Sequence, residues 1–403
     1  MHVVTRFTDP LIRQSTDPPV HRVAMGARIL MVAGEASGDL HGGRLVEALR
    51  RMAPHVIVEG MGGPRMREAG VHLLADAGQA AVVGATELWE KRRVLWGAFQ
   101  RLRRHLRTIR PALLICIDFP DFNLLLARTA RRLGIPVCYF VSPQVWAWRR
   151  GRVRTIRRLV RKMLVLFPFE EALYRQAGVD VTFVGHPLLD GLATVPCREA
   201  CRTSLAVPEG ALVLGLLPGS RQAEIRRHLP LLLEAAARLT AVHADLRLFL
   251  GVAPTVDTGS LEATVRASAV PVQVLHGRTS EVMRAADLLL AVSGTVTLEA
   301  AILGTPMIIT YRMGLLSSMV AGLLVRVPHI GLPNLVAGEG IVPELLQFQA
   351  TPERLAAAAS ALLESPERLD RMRNALAEVR RRLGTPGATD RAAREILALL
   401  PAV

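Results

Sequence analysis

What the chain lacks narrows it first. Its four cysteines are too few and too scattered for a disulfide framework. Cys116 and Cys138 fall inside apolar strand patterns, and Cys197 with Cys201 has no second pair to complete a zinc site, which favours a reducing cytoplasm. No uninterrupted apolar run approaches the roughly 18 residues of a spanning helix. The longest, Gly314 to Val325, stops at Arg326 and reads as a core or interfacial helix. The start is polar, rich in Pro and Asp, and lacks the apolar centre of a signal peptide. Residues 1–26 therefore read as a disordered tail, with Met25 an alternative start. Lysine is nearly absent, so the formal net charge of +15 is an arginine charge. Neither a G-x-G-x-x-G fingerprint nor a Walker lysine is present, and no Asp-x-Asp pair offers itself to a metal; no cofactor and no metal are expected.

What is present is a strand–helix alternation, run through twice. Half of the 403 residues are hydrophobic, enough for two cores. Arg28–Ala33, Val56–Val58, Ala112–Ile117, Val137–Val141 and Met163–Phe167 read as buried strands separated by helical patterns. A second series follows at Leu212–Leu217, Leu246–Val252, Val272–Leu275, Ala285–Val292 and Met307–Thr310, with the crossing near Val181–Pro187. This predicts an α/β protein of two doubly wound, Rossmann-like domains, 27–185 and 186–403, facing a cleft, with terminal helices free to pack back on the first.

In such folds the loops at the carboxyl ends of strands hold the ligand. Ser293-Gly294-Thr295 turns one strand into a helix that Gly304 stops, leaving backbone N–H groups and the positive end of a helix dipole facing a crevice, where phosphate is attracted. Glu299, four residues on, is placed for ribose hydroxyls. Gly219, Ser220 and Arg221 add backbone donors and a guanidinium fork for a diphosphate, and Asn334 brings an amide to the same crevice. In the first half, Glu35 follows the opening strand, and Asp118 and Asp121 follow a central one, where either carboxylate suits a general base. The Gly60–Pro64 turn holds more glycine than ordinary packing needs.

Two stretches are both basic and aromatic. From Glu87 to Arg110, Trp89, Trp96 and Phe99 are interleaved with arginines, and eight of fourteen residues from Arg149 to Lys162 are basic, just after Trp146 and Trp148. Such helices either lie against an anionic membrane or pack one face on the sheet and show arginine to water. Nucleic-acid binding would also account for the charge, but not for the small-residue loops at strand ends, and no zinc-finger or RNP signature accompanies it.

Seven segments in order carry a resemblance: AGEASGD at Ala33, DFPDFN at Asp118, SPQVWAWR at Ser142, GHPL at Gly185, LPGSR at Leu217, SGTVTLE at Ser293 and LPNLVAG at Leu332. From Arg28 onward the chain resembles the lipid-A-disaccharide synthases. The resemblance implies a GT-B glycosyltransferase fold. It also implies inverting transfer of 2,3-diacylglucosamine from UDP to the 6-hydroxyl of 2,3-diacylglucosamine 1-phosphate, giving a β-1,6 disaccharide. It implies Asp118 as general base, with Glu35 and Asp121 as rivals. Gly219, Ser220, Arg221, Ser293, Gly294, Thr295, Glu299 and Asn334 would hold the UDP-sugar. A cytoplasmic enzyme peripheral on the anionic inner membrane would follow, with no nucleic acid bound and a homodimer left open. The runner-up is a UDP-N-acetylglucosamine 2-epimerase-like enzyme of the same architecture. Gly340 and the N-terminal extension depart from the family pattern, away from every proposed catalytic position.

Overall fold

A computed structural model describes residues 26–78, 88–145, 151–254, 256–268, 270–313 and 328–401. The expected tail up to Met25, the Gly314–Val325 segment and the stretch Trp146 to Arg150 lie outside the described residues, as do the side chains of Trp89 and Lys91.

Two all-parallel sheets organise the chain. The first has the order β3-β2-β1-β4-β5-β6-β7. Its strands are β1 (Arg28–Ala33), β2 (Ile57–Gly62), β3 (His72–Asp76), β4 (Leu113–Ile117), β5 (Val137–Phe140), β6 (Lys162–Val165) and β7 (Val181–Phe183). The second, in the order β10-β9-β8-β11-β12-β13, comprises β8 (Val213–Leu217), β9 (Arg247–Val252), β10 (Val272–His276), β11 (Leu288–Val292), β12 (Met307–Tyr311) and β13 (Glu344–Leu346). Central strands such as β4, β8 and β11 are buried at every residue, because helices cover both faces, and their sequences are accordingly continuous apolar runs.

Eight helices shape the strand-end loops and the surfaces around them: α1 (Ala36–Met52), α2 (Leu88–Thr108), α3 (Pro120–Arg132), α4 (Arg152–Leu159), α5 (Gln222–Val242), α6 (Thr295–Leu303), α7 (Leu332–Ala337) and α8 (Ala388–Leu397). Ala98, Leu102 and Leu106 of α2 pack in a core with Leu30, Leu114 and Leu126, so its apolar stripe does face the sheet. Trp96 nevertheless stands 61% exposed, stacked on Phe99, and its arginines at 101, 104 and 107 face out. The last helix, α8, packs Ala392, Ile396 and Leu397 into the core on the other face of the first sheet, with Leu45 and Leu49 of α1. Arg51 pairs with Asp390 at 2.6 Å, and Arg391 Nε donates to the Val184 carbonyl at 2.8 Å.

Several details differ from the sequence reading. Strands β3, β7 and β13 are absent from it, Val181–Phe183 being read there as part of the crossing; all three are sheet edges with part-exposed residues and so lack the continuous apolar run of a central strand. The Ala285–Val292 run is not one strand: Ala285 ends a helix, and β11 begins at Leu288. Asp287 makes the joint, accepting from Val213 N at 2.8 Å and pairing with Arg198 and Arg202. Both elements are buried, so apolarity does not separate them. The glycine-rich turn also has a packing cause. Asp39 crosses to accept from the N–H groups of Gly63, Arg65 and Met66 at 2.7, 3.0 and 3.0 Å. A Cβ on Gly63 would lie 2.7 Å from that carboxylate.

Cys116, Cys138 and Cys201 are buried, and Cys197 is exposed. Burial pushes the Cys116 and Cys138 thiols far up, away from the reactive thiolate. A chromogenic disulfide reagent at neutral pH should titrate one thiol per native chain and four after denaturation. A second fast thiol in the native protein would place one of the buried three at the surface.

Candidate functional site

Each sheet reverses its strand order once, between β1 and β4 and between β8 and β11. Helices leave such a point in opposite directions, so the loops at its carboxyl end stay uncovered. A cavity sits at each.

The first, of about 320 Å³, is lined by Glu35, Asp118, Val141, Ser142, Arg152 and Phe167 among others. Glu35 is the N-cap of α1, and Asp118 follows β4. Asp118 and Phe119 both take left-handed backbone, with φ of 43° and 47°, and Val141 has φ of 63°. Each such residue costs on the order of 1–3 kcal/mol, so neighbours must impose it. Here Tyr139 Oη and Asn123 Nδ2 both donate to the Asp118 carbonyl, at 2.5 and 2.8 Å. Phe119 in turn lies over Gly34, where any Cβ would sit 2.2 Å from the ring. The bend directs the Asp118 carboxyl into a partly desolvated place. Burial first, and the Glu35 charge second, raise its pKa to about 6, against a backbone hydrogen bond from Phe119.

Asp121 is placed differently. It lies on the first turn of α3, its side chain is 76% exposed, and it pairs with Arg152 rather than lining the cavity. Sequence reasoning missed Tyr139, Asn123 and Arg152. Asn123 carried a signal, as a polar residue between the apolar Phe122 and Leu124, and Arg152 lay within the basic run from Arg149 to Lys162; Tyr139 carried none beyond its type.

The second cavity, of about 460 Å³, brings together Gly219, Ser220, Arg221, Ser293, Gly294, Thr295 and Glu299. The N-terminus of α6 points here without a side-chain cap, which leaves its first N–H groups to a ligand. The Arg221 side chain is 77% exposed, and its ion partner among the described residues is Glu224, at 3.3 Å. Burial raises the pKa of Glu299, which has no ion partner among the described residues. Such a carboxyl is suited to hydroxyl donors.

Asn334 does not line this cavity. It is 1% exposed, with Nδ2 donating to Val342 O and Glu344 Oε1 at 2.9 and 2.7 Å, and Oδ1 accepting from Ile341 N and Val342 N. Glu344 then holds the N–H groups of Ile330 and Gly331, and Ser293 Oγ donates to the Ile330 carbonyl at 3.4 Å. Asn334 thus sits behind the turn, reaching the cavity through Glu344 and the Ile330 loop.

Solved structures share this architecture at low identity. The UDP-GlcNAc 2-epimerase from Neisseria meningitidis bound to UDP-GlcNAc superposes with a TM-score of 0.63 at 12% identity, over 92% of this chain and all of that one. Acinetobacter baumannii MurG gives 0.57 at 16% identity, over 93% and 98%. These show the two-domain α/β fold of GT-B glycosyltransferases and their epimerase relatives. Sequence discriminates further. The family model described as lipid-A-disaccharide synthetase matches residues 29–397. The lipid-A-disaccharide synthase of Syntrophus aciditrophicus is 47% identical over 373 residues, 92% of this chain and 97% of that protein. That of Geobacter sulfurreducens is 46% identical, over 93% and 97%. With that identity running through both sheets and the helices around them, the chain belongs to the lipid-A-disaccharide synthase family.

Proposed function

We propose that the two cavities are the acceptor and donor halves of one active site, carried by residues 27–185 and 186–403, performing the family's glycosyl transfer. One observation supports this most. Seven of the eight residues expected to hold a UDP-sugar line one cavity, while a carboxyl with a pKa raised to about 6 faces the other.

In the transfer, the 6-hydroxyl of 2,3-diacylglucosamine 1-phosphate attacks the anomeric carbon of UDP-2,3-diacylglucosamine. The new C–O bond forms as the bond to the β-phosphate breaks, and its electron pair leaves with UDP. Asp118 takes the hydroxyl proton. Arg221 and the α6 N-terminus stabilise the charge growing on the diphosphate, the effect that usually dominates such steps. Glu299 accepts from the ribose hydroxyls. Glu35 keeps Asp118 basic by repulsion, a role distinct from accepting the proton itself. Asp121, held by Arg152, is the weaker candidate of the three.

A base must be ionised to act, so turnover should fall as pH drops through about 6. Glu35→Gln should move that midpoint downward, measured as the kcat/KM profile; an unmoved midpoint would take Glu35 out of this role. Asp118→Asn and Arg221→Ala should each lower kcat about a hundredfold or more in a folded protein. Near-normal rates for either would remove it from the mechanism.

The raised pKa has a thermodynamic sign. The folded state binds the Asp118 proton more tightly than the unfolded chain, so this contribution is complete below the unfolded value of 3.8 and is lost as pH rises through about 6. At pH 7.5 Asp118→Asn should therefore stabilise the fold, by on the order of 2 kcal/mol. An equal or lower melting temperature at pH 7.5 would show that the carboxylate is not destabilising there.

Both substrates carry acyl chains and phosphate, and no helix among the described residues is long and apolar enough to cross a membrane. We place the protein peripherally on the cytoplasmic face of the inner membrane, through exposed Trp96 and the outward arginines of α2. At about 1 kcal/mol per basic residue near an anionic surface, Arg101→Ser with Arg104→Ser and Arg107→Ser should weaken liposome binding roughly a hundredfold. Unchanged cosedimentation would reject the contact.

A further inference from the structure

The first sheet has another opening, at the edge opposite to Asp118, where β5 and β6 begin. It holds about 620 Å³, more than the cavity at the reacting groups. Four arginines line it: Arg131 from the end of α3, Arg157 and Arg158 from the last turn of α4, and Arg161 just before β6. None of the four makes an ion pair or side-chain hydrogen bond with a described residue, and all are exposed. The carboxylate in the lining, Asp180, is already held by Lys162 at 2.9 Å, and Lys162 also holds Glu395. The buried Ile135, Val160 and Val179 add apolar surface to the lining.

Arginine in a last helical turn complements the helix dipole, which accounts for Arg131, Arg157 and Arg158 one at a time. It does not account for Arg161, or for all four meeting at one concavity without a counter-charge. Guanidinium forks match phosphate oxygens bidentately, and the concavity is roomy enough for a phosphate together with the carbon skeleton that bears it. We propose that this opening binds a phosphate-bearing anion, either an anionic phospholipid headgroup or a soluble phosphate compound, at a site separate from the reacting centre. The site goes beyond the glycosyl transfer and does not depend on the α2 membrane contact.

The test titrates full-length protein calorimetrically in saturating UDP, which occupies the other phosphate-attracting cavity. Two probes are used: dihexanoyl-phosphatidylglycerol below its micelle concentration, with the phosphatidylcholine analogue as control, and inorganic pyrophosphate. Two variants are compared with the unaltered chain. Arg157→Ser with Arg161→Ser removes charge. Ala398→Trp fills the opening and removes none; Ala398 lines it, is exposed, and has ordinary helical backbone at the end of α8, so the indole need not enter a core. Phosphatidylglycerol binding without pyrophosphate binding assigns the site to lipid, whereas pyrophosphate binding assigns it to soluble phosphate. In either case both variants should weaken the bound probe about tenfold or more, with melting temperatures near that of the unaltered chain. Binding of neither probe overturns the proposal. So does binding that Ala398→Trp leaves intact, since that would be diffuse attraction to arginine and not occupation of the opening.

Discussion

Parallel strands buried on both faces leave a chain few places to meet a ligand. Their sides are covered by helices, and their backbone groups are consumed by neighbouring strands. The carboxyl edge stays open where strand order reverses, and this chain has one such place in each sheet. Glu35 and Asp118 come from the two strands flanking the first reversal, and Gly219 to Arg221 and Ser293 to Thr295 from the two flanking the second. The place where a ligand can enter is thereby set by topology before any side chain is chosen, and the side chains set what can be done there.

At the first reversal the side chains work against stability. Two successive left-handed residues, a left-handed valine across the cavity and a carboxyl raised to about 6 are each costly, and they lie within one constellation. Tyr139, Asn123 and the ring of Phe119 over Gly34 hold the arrangement in place. Strain of this kind concentrates where a group must be aimed and kept poorly solvated. At the second reversal the backbone is relaxed and the electrostatics are supplied by α6 and by an arginine that protrudes.

The central strands were legible because their apolar runs are short, continuous and bounded by small residues, and the loops worth watching followed from them; the part-exposed edge strands β3, β7 and β13 have no such run and were not. Legibility failed where one residue type serves two purposes. The run from Ala285 to Val292 is apolar in a helix end and in a strand alike. The glycines of the Gly60–Pro64 turn are close-packing positions, Gly60 against the Met31 backbone, Gly62 against Met66 and Gly63 against Asp39. Asn334, which reads as a ligand amide, spends its whole hydrogen-bonding capacity on a neighbouring loop. The left-handed backbone had little sequence signal: Asp118 is of a type that tolerates it, but Phe119 and, across the cavity, Val141 are not. The basic character of α4 was evident, but its meeting with Arg131 required the packing of α3 beside it.

The position of α8 bears on how the molecule comes into being. Its Ile396 and Leu397 complete the core beneath α1, and Arg51 finds its partner 339 residues later. The half synthesised first therefore leaves the ribosome with an apolar face uncovered, and stays so until the final helix has been made. A contact spanning nearly the whole chain is slow to form, and the interval exposes a surface prone to association. The two halves, distinct as sheets, are thus coupled in folding: the first cannot finish until the second has been translated.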